Sequence, residues 1–176
     1  MATLLDVQNL SISFRTYRGI LAATHDVTLH VDAGETVGIV GESGCGKSVT
    51  AHAVMRLLPA ATTIYSSGTI TWDGEAIQGY TEKEMNHLRG REMAMVFQDP
   101  MASLNPHKKI LDTIAMGLDA HHPHMDQKER VERVSKMMEM VGLNPAYMNR
   151  YPNQFSGGQR QRIGLGRALI MNPKLV

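Results

Sequence analysis

The sequence has a single cysteine, no long apolar run and no excess of charge, and each absence excludes a class of protein. Its one cysteine, Cys45, rules out an internal disulfide and fits a reducing compartment. No apolar run is long enough to span a bilayer, and the first residues, MATLLDVQNL, lack the basic and apolar segments of a secretory signal. The 18 basic and 17 acidic side chains leave no basic field for nucleic acid. Any membrane role is therefore expected to be peripheral, through a partner.

The remaining composition is that of a folded protein. Hydrophobic residues make up 43% and charged residues 20% of the 176 positions, which is the balance of a soluble globular chain. This length suits one ordinary domain with a real core.

The first half of the chain is predicted to contain strands and one helix. Residues 4–14 and 26–31 mix polar and apolar side chains as half-buried antiparallel strands do, and Asp73-Gly74 between 69–72 and 75–77 predicts a hairpin. The apolar runs Thr36–Val40 and Met93–Phe97 predict buried strands, the first covered on both faces of a sheet. Between them, apolar residues at helical spacing predict a helix over Ser48–Leu58 that ends at Pro59.

From about residue 107 the pattern becomes helical. Asp126 with Glu129 predicts the capped start of a helix that runs to about Val141, and a further helix is predicted over Gly157–Met171. The first helix carries an apolar stripe of Val131, Val134, Met138 and Val141 opposite the i, i+4 pairs Glu129–Arg133 and Glu132–Lys136. The whole pattern indicates an α/β domain with an inserted all-helical lobe.

The segment Gly41–Ser48, GESGCGKS, has the spacing G-x-x-x-x-G-K-[ST] of a phosphate-binding loop. Glycines let the backbone wrap around phosphates, and the following helix turns its positive N-terminus toward them. Lys47 is expected to reach the β- and γ-phosphates, and the Ser48 hydroxyl to bind Mg²⁺. A coincidental glycine-rich turn is the alternative, at a chance below about one in a hundred. The predicted ligand-contacting residues of this loop are Gly41, Glu42, Ser43, Gly44, Cys45, Gly46, Lys47, Ser48 and Val49.

Two later segments decide between the families that share this loop. Phe155-Ser-Gly-Gly-Gln159, followed by Arg-Gln-Arg, resembles the signature sequence of ABC ATPases, and Gln98 resembles the end of their glutamine loop. All three motifs occur in the order of that family. The stretches VGESGCGKSVTAHAVMRLLP, FQDPMASLNP and RYPNQFSGGQRQRIGLGRAL resemble the oligopeptide, dipeptide and nickel importer branch, and the resemblance covers essentially the whole chain.

This resemblance implies a P-loop NTPase (RecA-like) core with an antiparallel β subdomain and an inserted α-helical subdomain. It implies ATP and Mg²⁺ as cofactors, held between two ATPase subunits packed head to tail. Lys47 and Gln98 would act in catalysis, Gln98 also at the Mg²⁺, and Tyr17, with Phe14 as the second choice, would stack on adenine. The signature residues Ser156, Gly157, Gly158 and Gln159 would contact the ATP held by the other subunit.

The resemblance also implies the boundaries and the partners. Residues 1–104 would be the β subdomain and phosphate-loop core, 105–155 the helical subdomain, and 156–176 the signature helix and the start of the next core strand. The chain would be C-terminally incomplete, since that strand carries acidic catalytic residues after Val176, and inactive alone. A permease helix would bind to 105–151.

The implied function is an ATP-binding subunit of an importer of peptides or similar small solutes, peripheral on the cytoplasmic face of the membrane. Its partners would be a second ATPase subunit, two transmembrane permeases and, through them, an extracytoplasmic solute-binding protein. Two alternatives stay open: a nucleotide-binding module without ATPase activity, and a non-transport ABC ATPase of DNA repair or translation.

Overall fold

The computed structural model describes residues 3–99 and 103–176. The chain divides into two compact units, one ending at Met85 and the other beginning at Asn86. The subdomain boundaries expected at 104 and 155 stay predictions. No helix within these described ranges has the length and apolar character needed to cross a membrane.

The first unit contains a four-stranded antiparallel sheet. Its strands are β1 (Thr3–Thr16), β2 (Gly19–Asp32), β3 (Thr63–Trp72) and β4 (Glu75–Ala76), in the order β2-β1-β3-β4. The two first strands confirm those predicted at 4–14 and 26–31. Alternate side chains of β1 and β3 are buried, as expected for a sheet covered on one face: Leu5, Val7, Leu10, Ile12, Ile70 and Trp72.

The hairpin predicted at Asp73-Gly74 is confirmed. Trp72 pairs with Glu75 across it, and the two turn residues have φ angles of 47° and 85°. Both angles are positive, as a two-residue turn that follows the twist of its strands requires.

Helix α1 (Lys47–Val54) follows the phosphate loop and is shorter than the predicted helix over Ser48–Leu58. Met55 is its C-terminal cap, and Arg56 has a left-handed φ of 50°, so the chain leaves the helix three residues before Pro59. The inner face of α1 buries Thr50 and Ala53.

The strand predicted at Thr36–Val40 is not formed. No strand pairing involves these residues among those described, and Val40 is 95% exposed while Ile39 is 48% exposed. An apolar run becomes a central strand only when other strands bond to both of its edges and other elements cover both faces. In the described residues neither condition is met.

The second unit is helical. After α2 (Glu82–Leu88), which begins in the first unit, come α3 (Ile110–Ile114), α4 (Met116–His121), α5 (Gln127–Met140) and α6 (Gly157–Leu169). Single 3-10 turns at Pro145–Tyr147 and Pro152–Gln154 precede α6. The core of the unit is built from side chains of these helices and turns: Ile110, Ile114, Leu118, Val134, Met138, Phe155 and Ile163.

Helix α5 matches its predicted bounds. Asp126 caps it by accepting from the Lys128 amide at 2.9 Å, whereas Glu129 pairs with Arg133 at 2.7 Å rather than completing the cap. Val134 and Met138 of the predicted stripe are buried, and Lys136 pairs with Glu132 at 2.7 Å.

The strand predicted at Met93–Phe97 is reduced to one bridge. Met93 pairs in parallel with Leu175, and the Ala94 amide donates to the Leu175 carbonyl at 2.9 Å. Val96 and Phe97 are each 43% exposed. Pairing ends after Ala94 because no described segment continues alongside residues 95–97.

Candidate functional site

The loop Gly41–Ser48 joins an extended segment to α1 in the first unit. Gly44 and Gly46 have φ angles of 84° and 95°, which side-chain-bearing residues rarely adopt. Gly46 is the N-cap of α1, and the Cys45 amide donates to the Glu42 carbonyl at 3.3 Å to close the turn. The predicted role of glycine at Gly44 and Gly46 therefore matches the backbone that the loop adopts.

Close approach explains a second requirement for glycine in this loop. A Cβ on Gly46 would lie 2.6 Å from the Thr24 Cγ2 of β2 and 2.9 Å from the Ala23 carbonyl oxygen. One on Gly41 would lie 2.6 Å from the Cys45 Sγ, the end of a side chain that can turn away. The loop packs against the sheet at one end and against itself at the other. The Cys45 side chain itself is exposed.

Lys47 points back over the loop. Its Nζ donates to the carbonyls of Gly41 and Glu42, each at 2.7 Å, and lies 3.6 Å from the Cys45 Sγ. Among the described residues, its partners are two neutral carbonyls and a thiol, with no carboxylate, which leaves the ammonium available to an anion at the loop.

The start of α1 has several amides without a hydrogen-bond partner among the described residues. The first helical bond runs from the Thr50 amide to the Gly46 carbonyl at 2.9 Å, and the Thr50 hydroxyl donates to the same carbonyl. The amides of Lys47, Ser48 and Val49 precede that bond and are the orphan donors of a helix N-terminus. Together with the Lys47 ammonium they form a donor set that suits phosphate oxygens. The residues present therefore fit the phosphates of a nucleotide.

The signature segment opens α6 in the second unit. The Ser156 Oγ accepts from the Gln159 amide at 3.4 Å, and the Gln159 side chain accepts from the Ser156 amide at 2.9 Å, a reciprocal capping box. A Cβ added to Gly157 or Gly158 would contact nothing within 4 Å. The helix N-terminus is thus ordered by its cap and open on its glycine face.

Gln98 and the signature helix share one groove of about 430 Å³ in the second unit. Gln98 is exposed and lines this groove together with Phe97 and with Gly158 and Gln161 of α6. The structure therefore brings together two of the three motifs that the sequence singled out. Their contact with a nucleotide stays a prediction.

Tyr17 lies at the turn between β1 and β2 with its side chain 91% exposed. The Arg18 guanidinium stands 5.1 Å from the centre of its ring. Phe14, the second choice, is half-buried and pairs with Leu21 and Thr63 within the sheet. Adenine stacking by either residue stays a prediction.

Sequence reasoning missed two half-buried arginines of the second unit. Arg130 binds Asp119 at 2.7 Å and Asp112 at 3.1 Å, and Arg167 donates to the Ser103 carbonyl. The partners lie between 11 and 64 residues away along the chain, so no local spacing indicates them.

Among the described residues, no group of three or more histidine, cysteine, aspartate or glutamate side chains could hold a metal ion. His121 is half-buried, and its Nε2 lies 2.9 Å from the Arg89 carbonyl. Ser48 and Gln98, the predicted Mg²⁺ residues, carry neutral side-chain oxygens, which would suit a metal that is held mainly by phosphates.

The family model "ABC transporter" matches residues 24–176. The chain belongs to the ABC transporter family. Oligopeptide transport ATP-binding protein OppF of Bacillus subtilis is 44% identical over 173 residues, which are 98% of this chain and 55% of that protein. OppD of the same organism is 43% identical over 98% of this chain and 49% of its own length. Dipeptide transport ATP-binding protein DppD of B. subtilis is 41% identical over the full chain and 53% of its own length. The chain spans about half the length of the curated relatives it matches.

Solved ABC cassettes share the fold. A dimeric structure of the bacterial ABC transporter cassette MJ0796 has a TM-score of 0.84 at 27% identity, covering 97% of this chain and 71% of that one. The same cassette in a dimeric post-hydrolysis state bound to ADP and Pi has a TM-score of 0.83. The predicted fold class, a P-loop NTPase core with an antiparallel β part and helices, is confirmed, as is the resemblance to the peptide importer branch.

Proposed function

We propose that this chain is the nucleotide-binding part of an ABC importer's ATP-binding subunit and that it binds MgATP through Gly41–Ser48. The observation that carries the proposal is the donor set of this loop: the Lys47 ammonium on neutral carbonyls and the unused amides at the start of α1. The similarity of the chain to oligopeptide and dipeptide transport ATP-binding proteins supports peptides as the transported solute.

The residues of the chain have separate tasks in this proposal. Lys47 would bind the β- and γ-phosphates, and the Ser48 hydroxyl and Gln98 would be the residues that hold the Mg²⁺. MgATP, when bound, supplies the phosphoryl group and the metal charge for hydrolysis. Tyr17 covers the adenine.

The signature residues Ser156–Gln159 serve the second copy of the site. Their capped helix N-terminus offers the amides of Gly157 and Gly158 to the γ-phosphate held by another ATPase subunit. The dimeric cassettes among the solved structures support this arrangement. The same proposal includes two permeases, a solute-binding protein that reaches them from outside, and a place at the cytoplasmic face of the membrane.

A turnover assay decides whether this chain hydrolyses ATP by itself. We expect the purified chain to bind MgATP but release no phosphate above the level of its Lys47→Ala variant, measured as steady-state turnover. Turnover that Lys47→Ala abolishes would instead make this chain an ATPase by itself. Binding without turnover also favours the second candidate, a nucleotide-binding module.

The neighbouring genes separate transport from the non-transport alternative. Genes for two permeases and a solute-binding protein beside this one support an importer of peptides or similar solutes. Neighbours that act in DNA repair or translation, with none of those transport genes, would contradict it.

A further inference from the structure

The antiparallel pairing of β1 with β2 is interrupted twice, and the two interruptions compensate each other. Three successive pairs of opposite residues define them: Val7–Leu29, Leu10–Val27 and Ile12–Thr24. Between the first and second pairs β1 has two residues and β2 has one, whereas between the second and third pairs β1 has one and β2 has two. The register therefore shifts by one residue and then shifts back.

Asn9 and Asp26 lie at these two bulges, one on each strand. Both have left-handed φ angles, 51° and 52°, which asparagine and aspartate adopt more readily than other residues with side chains. The Asn9 Nδ2 donates to the Asp26 Oδ1 at 2.6 Å and joins the two bulges directly. The opposite strand holds each of them as well, since the Asn9 amide donates to the Thr28 Oγ1 and the Asp26 amide to the Ser11 Oγ, both at 3.0 Å.

Strand β3 fits closely against the bulge in β1. The Ser67 Oγ donates to the Asn9 carbonyl at 3.1 Å. Gly68 has a φ of 93°, and a Cβ at this position would lie 2.5 Å from the Gln8 carbonyl oxygen. The bulge at Asn9 is therefore held from both neighbouring strands, as a left-handed residue with a side chain requires.

Thr24 lies two residues before Asp26 and supports the phosphate loop. Its buried hydroxyl accepts from the Ile12 amide at 3.2 Å, which fixes the rotamer of the side chain. The Thr24 Cγ2 then stands against Gly46, where it leaves no room for a Cβ. A slip of β2 by one residue would turn Thr24 to the other face of the sheet and remove this support.

We propose that Asn9 and Asp26 are positioning residues for the phosphate loop. Their bond keeps the two bulges together, holds Thr24 opposite Ile12, and so seats Gly46 and the start of α1 against β2. Both side chains are exposed, so their effect comes from the register that they select rather than from burial. The proposal rests on the proposed function only where the effect is measured as affinity for MgATP.

Asp26→Ala and the matched control Asp73→Ala test the proposal in the full chain. Asp73 is also an aspartate with a left-handed φ, 47°, but it lies in the turn between β3 and β4. Both variants should lose a similar amount of stability in denaturant unfolding, because alanine is disfavoured at this φ. Only Asp26→Ala should weaken MgATP binding, by at least about fivefold. Asp26→Asn keeps an acceptor for Asn9 and should restore the affinity.

Hydrogen exchange of the nucleotide-free chain measures the register separately from binding. The Ile12 amide is bonded to the Thr24 hydroxyl, and the Thr50 amide to the Gly46 carbonyl at 2.9 Å. In Asp26→Ala both amides should exchange at least about threefold faster than in Asp73→Ala. In Asp26→Asn both should return to the wild-type rates.

Three results would overturn the proposal. The first is equal exchange at Ile12 and Thr50 in Asp26→Ala and Asp73→Ala, which is what a merely structural residue would produce. The second is faster exchange with no loss of affinity for MgATP, and the third is no recovery in Asp26→Asn.

Asp26→Gly serves if Asp26→Ala does not fold. Glycine adopts the left-handed backbone without strain and removes only the bond to Asn9, so this variant is compared with Asp73→Gly by the same criteria. If the wild-type chain binds no MgATP, the proposed function fails, and the exchange rates of the nucleotide-free chain still decide on the positioning role.

Discussion

Single residues in the phosphate loop are constrained by backbone angle and by contact, and the two constraints can be separated. Gly44 and Gly46 both have positive φ angles, but only Gly46 lacks room for a Cβ, because Thr24 stands against it. Gly44 has nothing within 4 Å of its Cβ position.

Substitution by alanine should therefore affect the two glycines differently. Gly44→Ala should cost about 1–2 kcal/mol of folding stability from the left-handed backbone alone. Gly46→Ala should cost more and also weaken MgATP binding by about tenfold or greater, because the start of α1 must shift away from the sheet. Denaturant unfolding and nucleotide titration of both variants check this. Equal effects on both measurements would contradict the assigned contact.

Ser156 illustrates what one side chain does for a helix N-terminus. Ser156→Ala removes the cap of α6 and should lower the stability of the second unit by about 1 kcal/mol. Gly157→Ala is the contrasting variant, since its Cβ meets nothing and alanine favours a helix by up to about 1 kcal/mol. In urea unfolding, the midpoint should fall for Ser156→Ala and rise for Gly157→Ala. A Ser156→Ala midpoint at the wild-type value would show that the capping box does not stabilise α6.

At the level of elements, Arg130 of α5 joins α3 and α4. The side chain is 11% exposed and binds Asp112 of α3 and Asp119 of α4. A hydrogen bond from Arg130 is the main cause that lowers the pKa of Asp119, and the attraction of the same guanidinium adds to it. The charged form of Asp119 is thus favoured in the folded chain over the unfolded one.

This shift makes stability depend on pH in a defined direction. A carboxyl whose pKa is lower in the folded state stabilises above its unfolded pKa of about 3.9 and loses that contribution as pH falls through the folded value. Asp119→Asn should therefore be less stable than wild type near neutral pH, with the difference shrinking below about pH 4. Unfolding curves of both chains across this range measure it. A difference that stays constant or grows on acidification would rule out the linkage.

The observed elements also separate features that nearby residues determine from features that depend on distant parts of the chain. The loop Gly41–Ser48, the Asp73-Gly74 turn and the cap at Asp126 depend on residues a few positions apart, so their spacing predicts them. The strands expected at Thr36–Val40 and Met93–Phe97 depend on distant partners, and an apolar run does not say whether those partners are present. The Arg167–Ser103 contact joins residues 64 positions apart in the chain, so no pattern in the sequence indicates it.

At the scale of the whole molecule, the apolar run Thr36–Val40 is an exposed segment that favours self-association of the chain. Val40 is 95% exposed, and no described strand bonds to the run. Unpaired extended backbone with apolar side chains invites pairing with another copy of the chain.

A charge on this run should therefore reduce self-association without loss of the fold. Val40→Lys is expected to lower the apparent mass in concentration-dependent light scattering. The free energy of unfolding should stay within about 0.5 kcal/mol of the wild-type value. Tyr17→Lys is the control, because Tyr17 is 91% exposed on the separate β1–β2 turn. Equal reduction by both substitutions would show that net charge, rather than the open run, governs association.

Equilibrium titration of the chain with MgATP measures whether Gly41–Ser48 holds the phosphates of a nucleotide. We expect saturable binding that Lys47→Ala weakens by at least about tenfold, because the Lys47 ammonium lies on the loop carbonyls and brings a full positive charge to the phosphates. Lys83→Ala, which removes an exposed cation of α2, should leave the affinity for MgATP within about threefold. Binding that survives Lys47→Ala unchanged, or no binding by the folded wild-type chain, would contradict this role of the loop.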